Sequence, residues 1–141
     1  MTKKSAAVAA MVEKFRGQEL DARYLGYFDC FNRQLFFEAH EVLEDLWLEQ
    51  KSGADGSFYK GLIQLAGAFV HLQKDRLQPA AALFRLAENN LFQYPGKHQK
   101  LRVDQVLNLI RSWLARLETP PFVTNPLRNT DPPELRPQKL Q

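Results

Sequence analysis

A chain of 141 residues with 45% hydrophobic and 25% charged side chains has the size and balance of one globular domain. Cys30 is the single cysteine, which excludes an intramolecular disulfide and is typical of a reducing cytoplasm. The longest run without a charged residue, 61–73, is shorter than the ~20 residues of a membrane-spanning helix, so we expect a cytoplasmic protein with no membrane partner.

Apolar residues recur at spacings of three and four along most of the chain, which predicts α-helices, and no segment alternates as a strand does. The predicted helices cover about 5–16, 21–31, 34–50, 57–74, 79–93 and 104–118. Pro79 suits the first turn of the fifth helix. The fold class is therefore all-α, a compact bundle of about five to six helices in one domain, residues 1–119.

The composition changes at Pro120, because six of the eight prolines lie in residues 120–141. Proline lacks the backbone donor that a regular helix needs. We therefore expect an extended Pro-rich C-terminal tail that is partly disordered or strapped on the surface of the bundle.

The net charge of +3 is unevenly distributed. Residues 1–56 carry 7 basic and 10 acidic side chains, whereas residues 57–141 carry 12 and 6. The densest basic stretch, 97–102, has no aromatic side chain among its charges, so a nucleic-acid partner is not favoured. We expect this stretch to be a solvated loop.

The third predicted helix places polar residues on its apolar face. At about 100° per residue, His40, Glu44 and Trp47 share a face with apolar side chains. Glu41 lies at the border of that face. A buried polar group without a partner costs a few kcal/mol. We therefore expect His40 and Glu44 to bond each other, one turn apart, or to bond a group from elsewhere.

The fourth predicted helix supplies candidate partners for this pair. Gln64 and His71 are seven residues apart and therefore lie on one stripe, together with the small residue Gly67. The absence of charge over residues 61–73 predicts a central place for this helix in the bundle. We predict that His40 and Glu44 converge with Gln64 and His71 in a buried polar site between the two helices.

Three kinds of site fit these residues. The first is a structural hydrogen-bond network. The second is a catalytic or small-molecule pocket, in which Glu41 or Glu44 is the general base and His40 orients the substrate. The third is a divalent-metal site with His40, Glu44 and His71 as ligands, because residues 40–44 spell H-E-x-x-E, one ligand away from the zinc-binding H-E-x-x-H. The candidate binding residues are Gln64, His71 and Trp47.

Two motifs carry a resemblance to a known family. The first is the H-x-x-x-E-x-x-W pattern of His40, Glu44 and Trp47, and the second is the following helix over residues 61–71. Over about residues 24–117 the chain resembles the small prokaryotic proteins grouped as domain of unknown function 309. The turn at 74–79 departs from that family because it contains no glycine. The resemblance implies an all-helical bundle and supplies no activity.

Two functions from different classes fit the sequence. The favoured one is a helical binding or structural module, whose partner is a second copy of the chain or another protein. The alternative is a small hydrolase, metal-dependent or metal-free, that uses the His40/Glu44 site. The sequence names no substrate and no reaction for it.

Overall fold

The computed structural model describes residues 6–138, and in that range the chain forms six α-helices and one short β-hairpin. The helices are α1 (Ala6–Lys14), α2 (Ala22–Asn32), α3 (Phe36–Gln50), α4 (Gly56–Gln73), α5 (Leu77–Phe92) and α6 (Val103–Glu118). The hairpin joins β1 (Lys97–His98) to β2 (Leu101–Arg102), and a 3-10 turn spans Pro126–Arg128. The predicted all-α class is confirmed. None of the helices described is long and apolar enough to cross a membrane.

Local signals in the sequence set the helix boundaries. Asp21 caps α2, because its carboxylate accepts a hydrogen bond from the backbone N–H of Arg23. Between α2 and α3, Gln34 adopts a left-handed backbone with φ of 63°. Pro79 lies in the first turn of α5, as predicted. The predicted start of α1 at Ser5 lies outside the described residues.

The fourth helix, α4, packs against both α3 and α5, while α2 packs on α3 and α6 packs on α5. Two glycines of α4 face side chains of α5. A Cβ atom at Gly61 would lie 2.7 Å from Leu91 Cγ, and a Cβ atom at Gly67 would lie 3.0 Å from Leu83 Cδ1. The short distance between α4 and α5 therefore depends on Gly61, whereas at Gly67 the added atom would meet only the movable end of the Leu83 side chain.

The centre of the core is aromatic. Phe69 of α4 is fully buried and meets one ring from each of α2, α3, α5 and α6, at centroid distances of 4.9 to 5.6 Å. These rings belong to Phe31, Phe36, Phe84 and Trp113. The contact with Phe36 fixes how α3 is rotated against α4, and so fixes which residues of α3 face α4.

The solvated loop expected at residues 97–102 is instead the β-hairpin. Gln99 and Lys100 form its turn with φ values of 46° and 64°, as in the type I′ turns that suit hairpins. The carboxylate of Asp55 lies 2.7 Å from His98 Nε2 and accepts a hydrogen bond of 2.8 Å from Gln99 Nε2. These contacts hold the hairpin against the start of α4.

Two asparagines connect the chain after α6 to the helices. The side-chain amide of Asn125 donates to the carbonyl oxygen of Leu72 at 2.6 Å. The Asn32 amide donates to the carbonyl oxygen of Leu135 and accepts from its N–H, both at 2.7 Å, and the Leu135 side chain is buried. The last part of the predicted tail, 139–141, lies outside the described residues.

Candidate functional site

The predicted pair on α3, His40 and Glu44, lies at the edge of the bundle, where water reaches both side chains. His40 Nε2 lies 3.7 Å from Glu44 Oε2, which is an ion-pair distance rather than a hydrogen bond. The side chains of His40 and Glu44 are 34% and 32% exposed, so both are half-buried where the sequence predicted burial. Water therefore relieves part of the desolvation cost that a buried pair would carry.

A cavity of about 320 Å³ lies between α3, α4 and α5, and we call it the α3–α5 cavity. Its apolar lining residues are Phe37, Ile63, Gly67, Val70 and Leu83. Its polar lining residues are His40, Lys60, Gln64 and His71. Three of the four residues predicted to converge thus meet at one cavity, and the fourth, Glu44, stays outside it next to His40.

His71 is in an environment that disfavours the charged imidazolium. Burial lowers the pKa of His71, and the positive charges of Arg76 and Lys74 lower it further. The Nδ1 atom of His71 is buried and has no hydrogen-bond partner among residues 6–138. A buried polar atom without a hydrogen bond lowers the free energy of unfolding by about 1–3 kcal/mol.

Gln64 links two walls of the cavity. Its Oε1 atom accepts a hydrogen bond of 2.7 Å from Asn90 Nδ2 on α5. This bond orients the Gln64 side chain and occupies its carbonyl oxygen as an acceptor. The Nε2 group of Gln64 makes no hydrogen bond within the part of the chain that the structure describes, so its N–H groups are available to a ligand.

Trp47 is half-buried and does not line the cavity itself. Its ring supports Lys60, whose ammonium nitrogen lies 4.3 Å from the ring centroid. Lys51 lies over the same ring at 5.6 Å but is not among the lining residues. The contact of Trp47 with the cavity wall is therefore through the side chain of Lys60.

The remaining candidates do not meet at the cavity. Neither Glu41 nor Glu44 lines it, so no carboxylate of the described residues is placed there to act as a general base. Between residues 6 and 138, no group of three or more His, Cys, Asp or Glu side chains is arranged to hold a metal ion. The predicted ligand set of His40, Glu44 and His71 is therefore not assembled, and the divalent-metal site has no support.

Sequence reasoning did not find Lys60 or Asn90. Lys60 lies four residues before Gln64 and eleven before His71, so it belongs to the same stripe of α4, and that spacing was the available signal. Asn90 approaches Gln64 only because of how α5 is set along α4, which no local pattern reveals.

Comparisons with known proteins agree with the expected resemblance. Residues 24–83 match the family model described as "Domain of unknown function (DUF309)", and all of the cavity's lining residues lie within that segment. The uncharacterized protein YpuF of Bacillus subtilis (strain 168) is 33% identical over 89 residues, which cover 60% of this chain and 49% of the relative. The chain thus spans about half the length of this relative. No solved structure matches the chain. Neither the family description nor the relative assigns a function.

Proposed function

We propose that the chain is a small-ligand-binding module and that the α3–α5 cavity is its binding site. One observation carries this proposal: three polar residues from two helices, His40, Gln64 and His71, line a single cavity whose other walls are mostly apolar. A concave, mostly apolar site with a few convergent polar groups is the usual form of a small-molecule site. The volume of about 320 Å³ lies at the small end of that class.

The wall of the cavity includes a large apolar side chain that water reaches. Phe37 is 56% exposed, and its ring stacks on His40 at a centroid distance of 6.1 Å. Covering this ring would stabilise a bound molecule by removing apolar surface from water. The same exposed ring could be covered by a protein partner, so the experiment below includes the oligomeric state.

Binding is favoured over hydrolysis by the identity of the lining groups. A hydrolase that used Glu41 or Glu44 as general base would need that carboxylate within hydrogen-bond reach of the substrate. Both carboxylates lie outside the set of lining residues. The polar groups that do line the cavity suit recognition, because each carries an N–H group that can donate a hydrogen bond.

The test compares two glycine-to-leucine variants, with n-octanol as a neutral apolar probe and two-dimensional amide NMR as the readout. Gly67→Leu fills the cavity, because Gly67 lines it and an added Cβ atom meets only the end of the Leu83 side chain. Leucine also favours the helix over glycine by close to 1 kcal/mol, so the variant should fold. Gly96→Leu is the matched control, since nothing lies within 4 Å of its added Cβ atom.

We expect saturable shifts centred on α4 in the wild type and in Gly96→Leu, and an affinity at least tenfold weaker in Gly67→Leu. Unchanged binding in Gly67→Leu would place the probe elsewhere and overturn the proposal. Absence of binding in the wild type, to this probe and to octanoate, would overturn it as well. A change in oligomeric state by light scattering in Gly67→Leu alone would assign the cavity to a protein contact instead.

A further inference from the structure

The polar groups of the α3–α5 cavity share one chemical property. All of the polar lining residues carry nitrogen-bound hydrogens, and no carboxylate is among them. They are His40, Lys60, Gln64 and His71. A cavity whose polar groups are donors, one of them a permanent cation, complements a ligand group that accepts hydrogen bonds and carries a negative charge.

Lys60 supplies the positive charge. Its side chain is half-buried against Trp47, and its ammonium makes no ion pair with any carboxylate in residues 6–138. Some other cations of the bundle do have such partners: Arg111 pairs with Glu88 at 2.6 Å, and Arg23 pairs with Glu49 at 2.6 Å. The positive charge of Lys60 is thus held at the cavity wall by an aromatic ring instead of an acid.

Two further features extend the same complementarity along α4. The N–H groups of Gln64, one turn from Lys60, are available because its oxygen is committed to Asn90. At the far end of the cavity, the positive charges of Arg76 and Lys74 act on His71. Basic side chains therefore lie near both ends of the α4 wall, and the lining residues of α4 between them, apart from Gln64, are apolar.

We propose that the α3–α5 cavity binds a small carboxylic acid with an apolar body. The carboxylate lies at Lys60 and Gln64, and the hydrocarbon lies along Ile63, Val70 and Leu83. This inference rests on the proposed function, because it names the ligand class for the same cavity. A straight chain of about eight carbons is short enough for a cavity at the small end of the usual range.

The test compares octanoate with n-octanol, which share a chain length and differ at the head group. Both are titrated into the full chain and into two methionine variants, again with amide NMR. Lys60→Met keeps the apolar stem and removes the charge. Lys51→Met is the matched control, because Lys51 also lies over Trp47 but does not line the cavity.

We expect the wild type and Lys51→Met to prefer octanoate over n-octanol by about tenfold, which is the lower range for a charge-assisted hydrogen bond. Lys60→Met should bind octanoate and n-octanol with about equal affinity, and its affinity for n-octanol should match that of the wild type. Equal binding of the two probes to the wild type would overturn the acid preference and leave the cavity as a binding site. A tenfold preference that survives in Lys60→Met would overturn the placement of the carboxylate. Failure of both probes would overturn the proposed function itself.

Discussion

The neighbouring residues Phe36 and Phe37 test how α3 is rotated, and with it the geometry of the whole site. Phe36 is fully buried, stacked on Phe69 at 5.0 Å and edge-on to Phe31 at 5.1 Å. Phe37 is 56% exposed. Truncating a fully buried phenylalanine costs about 3–5 kcal/mol from lost burial and the cavity left behind. Phe36→Ala should therefore lower Tm by about 10–15 °C in a domain of this size.

Phe37→Ala is the matched control, and it should change the free energy of unfolding by less than about 1 kcal/mol, because most of the ring is already in water. Urea unfolding followed by far-ultraviolet circular dichroism measures both variants under the same conditions. An equal decrease in the free energy of unfolding for the two variants, or a larger decrease for Phe37→Ala, would refute this rotation of α3. If Phe37 were buried in place of Phe36, α3 would be rotated by about 100°, and His40 would be turned away from α4.

Three further predictions concern charge, pH and the chain after α6. Glu44→Gln removes a negative charge beside the cavity, so octanoate affinity should rise about twofold while n-octanol affinity stays constant in the same NMR titration. The pKa of His71 is lowered in the folded state, so the unfolded state binds more protons near pH 6.5. The free energy of unfolding should therefore fall as the pH drops through 6.5. Urea unfolding at pH 5–8 measures this dependence, which should be flatter in His71→Asn. Asn32→Ala removes both bonds to Leu135 and should speed hydrogen exchange over residues 131–138, whereas Asn108→Ala on exposed α6 surface should not.

Periodicity in the sequence predicts the helices because apolar side chains must leave water at helical intervals, whatever they pack against. It also predicts which residues share a stripe: Gln64 and His71 both line the cavity, as their seven-residue spacing suggests. It does not predict the hairpin, because the turn at Gln99 and Lys100 lacks the Asn-Gly or Asp-Gly pair that marks a type I′ turn.

Periodicity also does not give the depth of a residue within a stripe. A helical wheel places His40, Glu44, Phe36 and Phe37 in one apolar arc, yet only Phe36 is fully buried. The reason is that α3 packs against both α2 and α4, and these two contacts bury the edge of the arc at Phe36 and leave the edge at Phe37 at the surface. Contacts between helices, such as that of Gln64 with Asn90, depend on the same packing and have no local signal.

Of the pair His40 and Glu44, only His40 lines the cavity, and this division favours the proposed binding function over hydrolysis. His40 lines the cavity, whereas Glu44 lies outside it with about a third of its side chain in water. A carboxylate inside an apolar cavity would lose hydration and would repel an acidic ligand. The predicted hydrolysis would require Glu41 or Glu44 to reach the substrate, whereas binding of an acid is favoured when both stay outside the cavity. The positions of these carboxylates therefore support the proposal of an acidic ligand over that of a hydrolytic reaction.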